Sequence, residues 1–583
     1  MARPDPHSYT DTGQPQTRTI EFALRLDFET RIISGEIALR FRERGAGPID
    51  LDTRDLRIES VTSLDGAALP YTLAAPEPIL GARLRVELPG GAAGLRIRYS
   101  TSPQATALQW LDPAQTAGGA EPFLFSQCQP IHARSVFPLQ DTPAVRVTVS
   151  SARFTVPAGL RTLMAASSKG RETSGPALAT DVFEMPQAIP PYLLAFAVGD
   201  LAPRPLSPRC AVWAERPLAD AAAGEFAEVE KMLAAAEQLF GKYEWERYDI
   251  LVMPPSFPYG GMENPRLTFV TPSLLAGDRS LVNVIAHELA HAWTGNLVTN
   301  ASANDFWLNE GFTVYAERRI LEALEGREMS ELHAAIGRHD LRISLERFAQ
   351  RPELTRLRTN LAGVDPDEAY SNVPYEKGYL LLRRLEDLAG RKAFDGFLLA
   401  YLKHFAFQSI TTGQFLEFLE EKLPGLAARA DALDWIDKPG LPPDAPRPES
   451  ARLAELQLLG RRAAVGDIPP IDLKPTELLV YLQSLPDLLD ARTVAKIDAE
   501  YGLSGRKSLE LRHTFVLAQL RAKMPEGIEA ARRVALETGR MKYLRPVYQQ
   551  LVKSDRPAAE RIYQVARGSY HPIARAMVEG LLR

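Results

Sequence analysis

His287, Glu288 and His291 stand as His-Glu-x-x-His within Ile285–Trp293, and Glu310 follows His291 after 18 intervening residues. The segment reads as a helix. Leu281, Val284, Ile285, Leu289 and Trp293 supply apolar faces, Asp278 or Ser280 can cap the start, and Gly295 can close the end. On a helix, positions i and i+4 share one face, with Cβ atoms about 6 Å apart. Two imidazoles so placed can both reach a tetrahedral Zn2+ at about 2.0–2.1 Å. Glu288 points beside the metal, free to take a proton from water that the metal acidifies. A third ligand must come from elsewhere. Glu310, in Trp307-Leu308-Asn309-Glu310-Gly311-Phe312, can be returned by a following helix antiparallel to the first. Two histidines, a glutamate and an open position make the ligand set of a catalytic zinc, one per chain, rather than a closed structural one. A lone histidine would read as an ordinary helix residue, and the other seven (7, 132, 333, 339, 404, 513 and 571) are read so.

The elements around this constellation suggest a multidomain α+β protein. At 583 residues the chain exceeds what one core spans, so three or four domains are expected. Residues 1–203 read as an antiparallel β domain. Thr19–Phe41, Arg83–Leu88, Leu95–Tyr99 and Val145–Val156 alternate apolar and polar residues, punctuated by Pro89-Gly90-Gly91 and Pro157-Ala158-Gly159. Residues 204–437 form the zinc domain, mostly helical, with Leu218–Phe240 an example of its three- and four-residue apolar spacing. Residues 438–450 carry too many prolines for a helix and read as a stiff linker. Residues 451–583 read as all helical, a stack of short helix pairs without a fixed repeat.

Composition narrows the function classes. Lys and Arg total 68 against 73 Asp and Glu, a net charge of −5, so no nucleic-acid footprint is expected. Arg383-Arg384 reads as a solvated helix face. No apolar run is long enough to span a membrane, and Met1–His7 holds no apolar leader. Two cysteines, Cys128 and Cys210, fit a reducing compartment, so a cytoplasmic location is the expectation; the chain is also expected to be a monomer.

The spacing of the zinc residues is that of the gluzincins. Pro258-Tyr259-Gly260-Gly261-Met262-Glu263-Asn264-Pro265 resembles the Gly-x-Met-Glu-Asn motif of the M1 zinc aminopeptidases. Phe125–Gln129, Ala369–Gly378, Pro439–Pro443 and Gly539–Lys542 extend the resemblance across most of the chain, closest to the leukotriene A-4 hydrolase branch and its bacterial aminopeptidase relatives. The resemblance implies a saddle-like β domain, a thermolysin-like catalytic domain and a helical-repeat C-terminal domain. It further implies Gln129, Gly260, Gly261, Met262, Glu263 and Tyr370 at the substrate, and Tyr375 as the oxyanion donor, with Tyr370 the competing candidate. Arg540 and Lys542 would hold the carboxylate end of a short peptide. A carboxylate such as Glu263 beside the first subsite binds a free α-ammonium and rejects an internal amide. That argues against an endopeptidase, and the complete residue set argues against a non-catalytic binding scaffold. The alternative is lipid epoxide hydrolysis, alone or as a second activity, through Asp367 and Tyr370. There the chain departs from the pattern, with Ala303 where that branch carries a tryptophan.

Overall fold

The computed structural model describes residues 5–468 and 470–583. Residues 1–4, where the absence of an apolar leader was partly read, lie outside the described residues.

Residues 17–189 build an eight-stranded sheet. Its order is Ser167–Thr173, Leu178–Ile189, Val147–Pro157, Thr17–Asp27, Ile32–Thr53, Ala82–Ser100, Arg57–Ser63, with Tyr71–Leu73 also paired to Ala82–Ser100. Ile20, Phe22, Leu24 and Leu26 alternate into the core, opposite Leu39, Ile37, Gly35 and Ile33. The sheet is not wholly antiparallel. Thr17–Asp27 runs parallel to Val147–Pro157, because the long intervening chain (28–146) supplies the crossover. Nor does Pro89-Gly90-Gly91 end a strand. Ala82–Ser100 is continuous, and the register shifts between the pairs Gly47–Leu88 and Gly45–Ala92 on either side of these residues, a bulged stretch where a break was expected. A four-stranded sheet, Leu108–Leu111, Phe123–Ser126, Phe196–Gly199 and Arg161–Met164, continues this domain.

The central region opens on a five-stranded sheet in the order Leu201–Ser207, Cys210–Glu215, Asp249–Val252, Leu267–Val270, Gly261–Met262. Its first strand runs across positions 203 and 204, and Gly261–Met262 is an edge strand. The expected helix over 218–240 is two, Ala219–Glu225 and Val229–Phe240. At the centre lies Trp307–Glu325, buried on every side from Trp307 to Leu321 although that span includes Asn309, Glu310, Glu317, Arg318 and Arg319. Charges buried in this way need specific partners. Arg318 has Glu376 at 2.8 Å, Arg319 has Asp395 at 2.6 Å, Glu310 faces His287 and His291, and Glu317 faces His287. Arg383 and Arg384 are likewise half-buried and paired with Glu331 and Asp444, not a solvated face.

Residues 438–450 form no helix, as expected, but are fastened along the central domain. Lys377 Nζ donates to Lys438 O (2.8 Å), Gly440 N to Thr355 Oγ1 (2.7 Å) and Arg338 Nη1 to Pro446 O (2.9 Å). Beyond them run the helices Ala451–Arg462, Pro475–Gln483, Ala491–Tyr501, Leu509–Arg521, Pro525–Glu537, Met541–Ser554, Arg556–Ala566 and Pro572–Leu582. They enclose two apolar cores. One takes in Leu332 from the central helix Arg327–Arg347, which seats this domain against the central one.

Candidate active site

The first ligand helix is Asn283–Ala290. Neither expected cap starts it: Val282 holds the N-cap position, and Asp278 instead accepts from Ser280 N at 3.0 Å. Nor does Gly295 end it. The chain turns past His291 and reaches Gly295 at φ +119°, where a Cβ would lie 2.6 Å from His291 Nδ1. Glycine is needed there both for that backbone angle and to let the loop close around the second histidine.

His287 Nε2 and His291 Nε2 each lie 3.4 Å from Glu310 Oε2. That oxygen is buried and, among the described residues, has no hydrogen-bond partner. An orphaned buried carboxylate oxygen is costly unless something positive occupies the space it faces. A tetrahedron with bonds of about 2.0–2.1 Å has edges of about 3.3 Å, so the two distances to Glu310 match the spacing that zinc requires, and all three donors lie within 4.8 Å of one another. Glu263, Glu288 and His291 also cluster, but Glu263 is held by another side chain, so the His287, His291 and Glu310 set fits the ion better. The far ring nitrogens are fixed too. His287 Nδ1 faces Glu317 Oε2 at 3.1 Å, and His291 Nδ1 faces Thr294 O at 2.9 Å. Such partners hold the proton on Nδ1 and present the Nε2 lone pair to the metal. Burial works to raise Glu310, but the histidines hold it well below the usual carboxylate range. Sequence reasoning missed Glu317. Its signal was its position two turns past Glu310 on the same helix.

Glu288 lies against the edge strand: a Cβ on Gly261 would come within 2.3 Å of its Oε1. Burial pushes Glu288 up to about 7, opposed by His287 and His291. Glu263 is buried, which raises its carboxyl, and its Oε1 accepts from Gln129 Nε2 at 3.0 Å. Gln129 comes from the β domain, and Asn296 Nδ2 fixes the Glu263 carbonyl at 2.7 Å. Strand alternation separates the neighbours. Gly261 and Glu263 face the cavity, while Met262 turns inward, where its Sδ accepts from Gln127 Nε2 at 3.3 Å. Met262, expected at the substrate, is therefore not on the cavity wall.

Tyr375 lies in a single π turn, Val373–Lys377, and its ring stacks on His287 with centroids 6.0 Å apart. Gly378 makes the placement possible. Its Cβ would meet Gly311 Cα at 2.7 Å, so this segment packs directly on the helix bearing Glu310. Burial first, then Glu310, raises Tyr375 well above 10, which keeps its phenol a donor. Tyr375 OH donates to Tyr370 OH at 3.3 Å, and burial raises Tyr370 to about 12.

These groups line a cavity of about 1240 Å³ whose opposite wall is the C-terminal domain. Arg540 is buried there, 2.5 Å from where a Gly260 Cβ would stand, and donates to Tyr543 OH at 3.1 Å. Lys542 Nζ pairs with Glu510 at 2.8 Å, which draws Glu510 to about 2 against the pull of burial. Glu510 carried no sequence signal. Four of the seven histidines read as ordinary, at 7, 333, 339 and 513, also line this cavity. His132 Nε2 bonds Asp367 at 2.8 Å.

Comparison with known proteins agrees with this architecture. Residues 6–193 match the Peptidase M1 N-terminal domain, 225–436 the Peptidase family M1 domain, and 473–582 the C-terminal domain of leukotriene A4 hydrolase. The chain is 38% identical to Xenopus laevis leukotriene A-4 hydrolase, covering 98% of each. It is 36% identical to leucine aminopeptidase 2 of Pyricularia oryzae, covering 99% of this chain and 98% of that one. The solved structure of yeast LTA4 hydrolase in complex with bestatin superposes with a TM-score of 0.92 at 34% identity, over 99% of this chain and 97% of that one. With this domain order and a donor set of two histidines and a glutamate that fits zinc, the chain belongs to the M1 peptidase family and is a metallo-aminopeptidase.

Proposed function

We propose that this chain releases N-terminal amino acids from short peptides, with one zinc per chain held by His287, His291 and Glu310. The observation that carries the substrate assignment is Glu263, a buried carboxylate beside the zinc site with Gln129 as its side-chain donor. When bound, zinc supplies Lewis-acid polarisation of the carbonyl and makes water more acidic. Glu263 and Gln129 take the α-ammonium and set the register at the first peptide bond. Glu288 takes a proton from the attacking water and delivers it to the leaving amine. Tyr375 donates to the developing oxyanion without adding charge. Arg540 and Lys542 receive the peptide carboxylate, with Lys542 partly neutralised by Glu510.

Glu263→Gln removes a buried ion-pair partner, a loss of several kcal/mol. Measured on an amino-acyl anilide, kcat/KM is expected to fall by on the order of 10², mostly through KM. The wild-type protein should leave N-acetylated peptides uncut. Unchanged cleavage by the variant would remove Glu263 from the amine subsite.

A second reading, epoxide hydrolysis, rests on Asp367 and Tyr370 sharing the cavity wall. Against it, Asp367 is engaged by His132, and Ala303 stands in a small apolar cluster around Phe348, Leu354 and Leu361. A long-chain fatty-acid epoxide is expected to turn over more slowly than peptide. Rapid turnover abolished by Asp367→Asn would reverse that order. The protein is further read as a cytoplasmic monomer with neither nucleic-acid nor membrane partners. Cys128 and Cys210 are buried free thiols, and among the described residues no helix is long and apolar enough to cross a membrane.

A further inference from the structure

The cationic wall of the cavity is unevenly compensated. Lys542 has Glu510 at 2.8 Å, and Arg540 has hydroxyl partners in Tyr543 and Ser273. Arg545 has neither. It lies three residues past Lys542 on the helix Met541–Ser554, lines the same cavity, and among the described residues donates no hydrogen bond and meets no carboxylate. Its nearest influences are the phenols of Tyr370 and Tyr259, whose rings stand 5.6 Å apart beside the candidate oxyanion donor. Arg347, from the facing helix Arg327–Arg347, adds a second positive charge. Its Nη1 and Nη2 donate to the carbonyls of Tyr370 (2.8 Å) and Glu368 (3.1 Å), and among the described residues no carboxylate pairs with it. Burial, then Arg545, draws Arg347 down to about 10, as expected for two cations facing one half-buried space. Two uncompensated guanidiniums on the wall of a ligand cavity are most simply balanced by an anion that arrives with the ligand.

We propose that Arg545, supported by the charge of Arg347, is a second anion-binding position in this cavity and selects peptides whose C-terminal residue is glutamate, or less well aspartate. This rests on the aminopeptidase reading above, in which Arg540 and Lys542 hold the terminal carboxylate. Lys542 and Arg545 are i and i+3 on one helix, with Cβ atoms about 5–6 Å apart. The two carboxylates of a C-terminal glutamate can span a similar distance, so one residue can engage both positions. Aspartate, one methylene shorter, reaches less well.

The test compares Ala-Ala-Glu, Ala-Ala-Gln and Ala-Glu-Ala on the zinc-loaded wild type, Arg545→Gln and Arg545→Lys. For the wild type, kcat/KM for Ala-Ala-Glu is expected to exceed that for Ala-Ala-Gln by on the order of tenfold, the worth of one charge-assisted hydrogen bond. Arg545→Gln should bring that ratio to about one, and Arg545→Lys should keep part of it. A wild-type ratio of one or below, or a ratio that survives in Arg545→Gln, overturns the proposal. An equal preference for Ala-Glu-Ala overturns the assignment to the C-terminal residue. Calorimetric binding of the same peptides to Glu288→Gln reads the preference without turnover. No cleavage of any peptide by the wild type, with a tenfold binding preference retained, would count against the aminopeptidase reading and not against Arg545.

Discussion

Glu288→Gln is expected to lower kcat by on the order of 10²–10⁴, the usual worth of a positioned general base, or about 3–5 kcal/mol of barrier. The substitution isolates proton transfer. Gln has the shape of Glu, and shape matters here because Gly261 leaves no room beside Oε1. The amide cannot accept the proton of the attacking water. The zinc ligands are untouched, so metal content measured by mass spectrometry should stay at the wild-type level and KM should change little. A loss below tenfold with zinc intact would show that another group performs the transfer.

Tyr375→Phe is expected to cost about 10²–10³ in kcat, the typical effect of removing one oxyanion donor. The ring that stacks on His287 remains, so folding and metal binding should persist. Tyr370→Phe should cost less, since Tyr370 meets the site through the Tyr375 hydroxyl. Steady-state kinetics of both variants on one tripeptide would decide between them. A larger loss in Tyr370→Phe would exchange the two roles.

The ligand residues were legible in the sequence because helix geometry turns a four-residue spacing into a shared face. The two glycines beside Glu263 were legible as points of close approach, and in the structure Arg540 packs against Gly260 and Glu288 against Gly261. Glu510, Ser273 and Tyr543, which surround Arg540 and Lys542, were not. They come together only when the C-terminal helices dock, and nothing local marks them. The helix cap failed for a related reason. Asp278 satisfies Ser280 N in a preceding turn, a local bond that competes with capping. In the β domain, alternation located the strands, but the long crossover made one pair parallel, which the strand pattern does not encode. Met262 shows how residues within one motif can separate: a period of two sends it into the core while both its neighbours face the cavity.

The most direct test of the central claim is a zinc titration of chelator-stripped protein, with metal content and amino-acyl anilide hydrolysis measured on the same samples. Activity is expected to vanish on stripping and to return linearly, levelling at one zinc per chain, while Glu310→Gln should bind zinc more weakly and recover little. Hydrolysis that persists in protein freed of metal, or that returns without regard to His287, His291 and Glu310, would contradict the account.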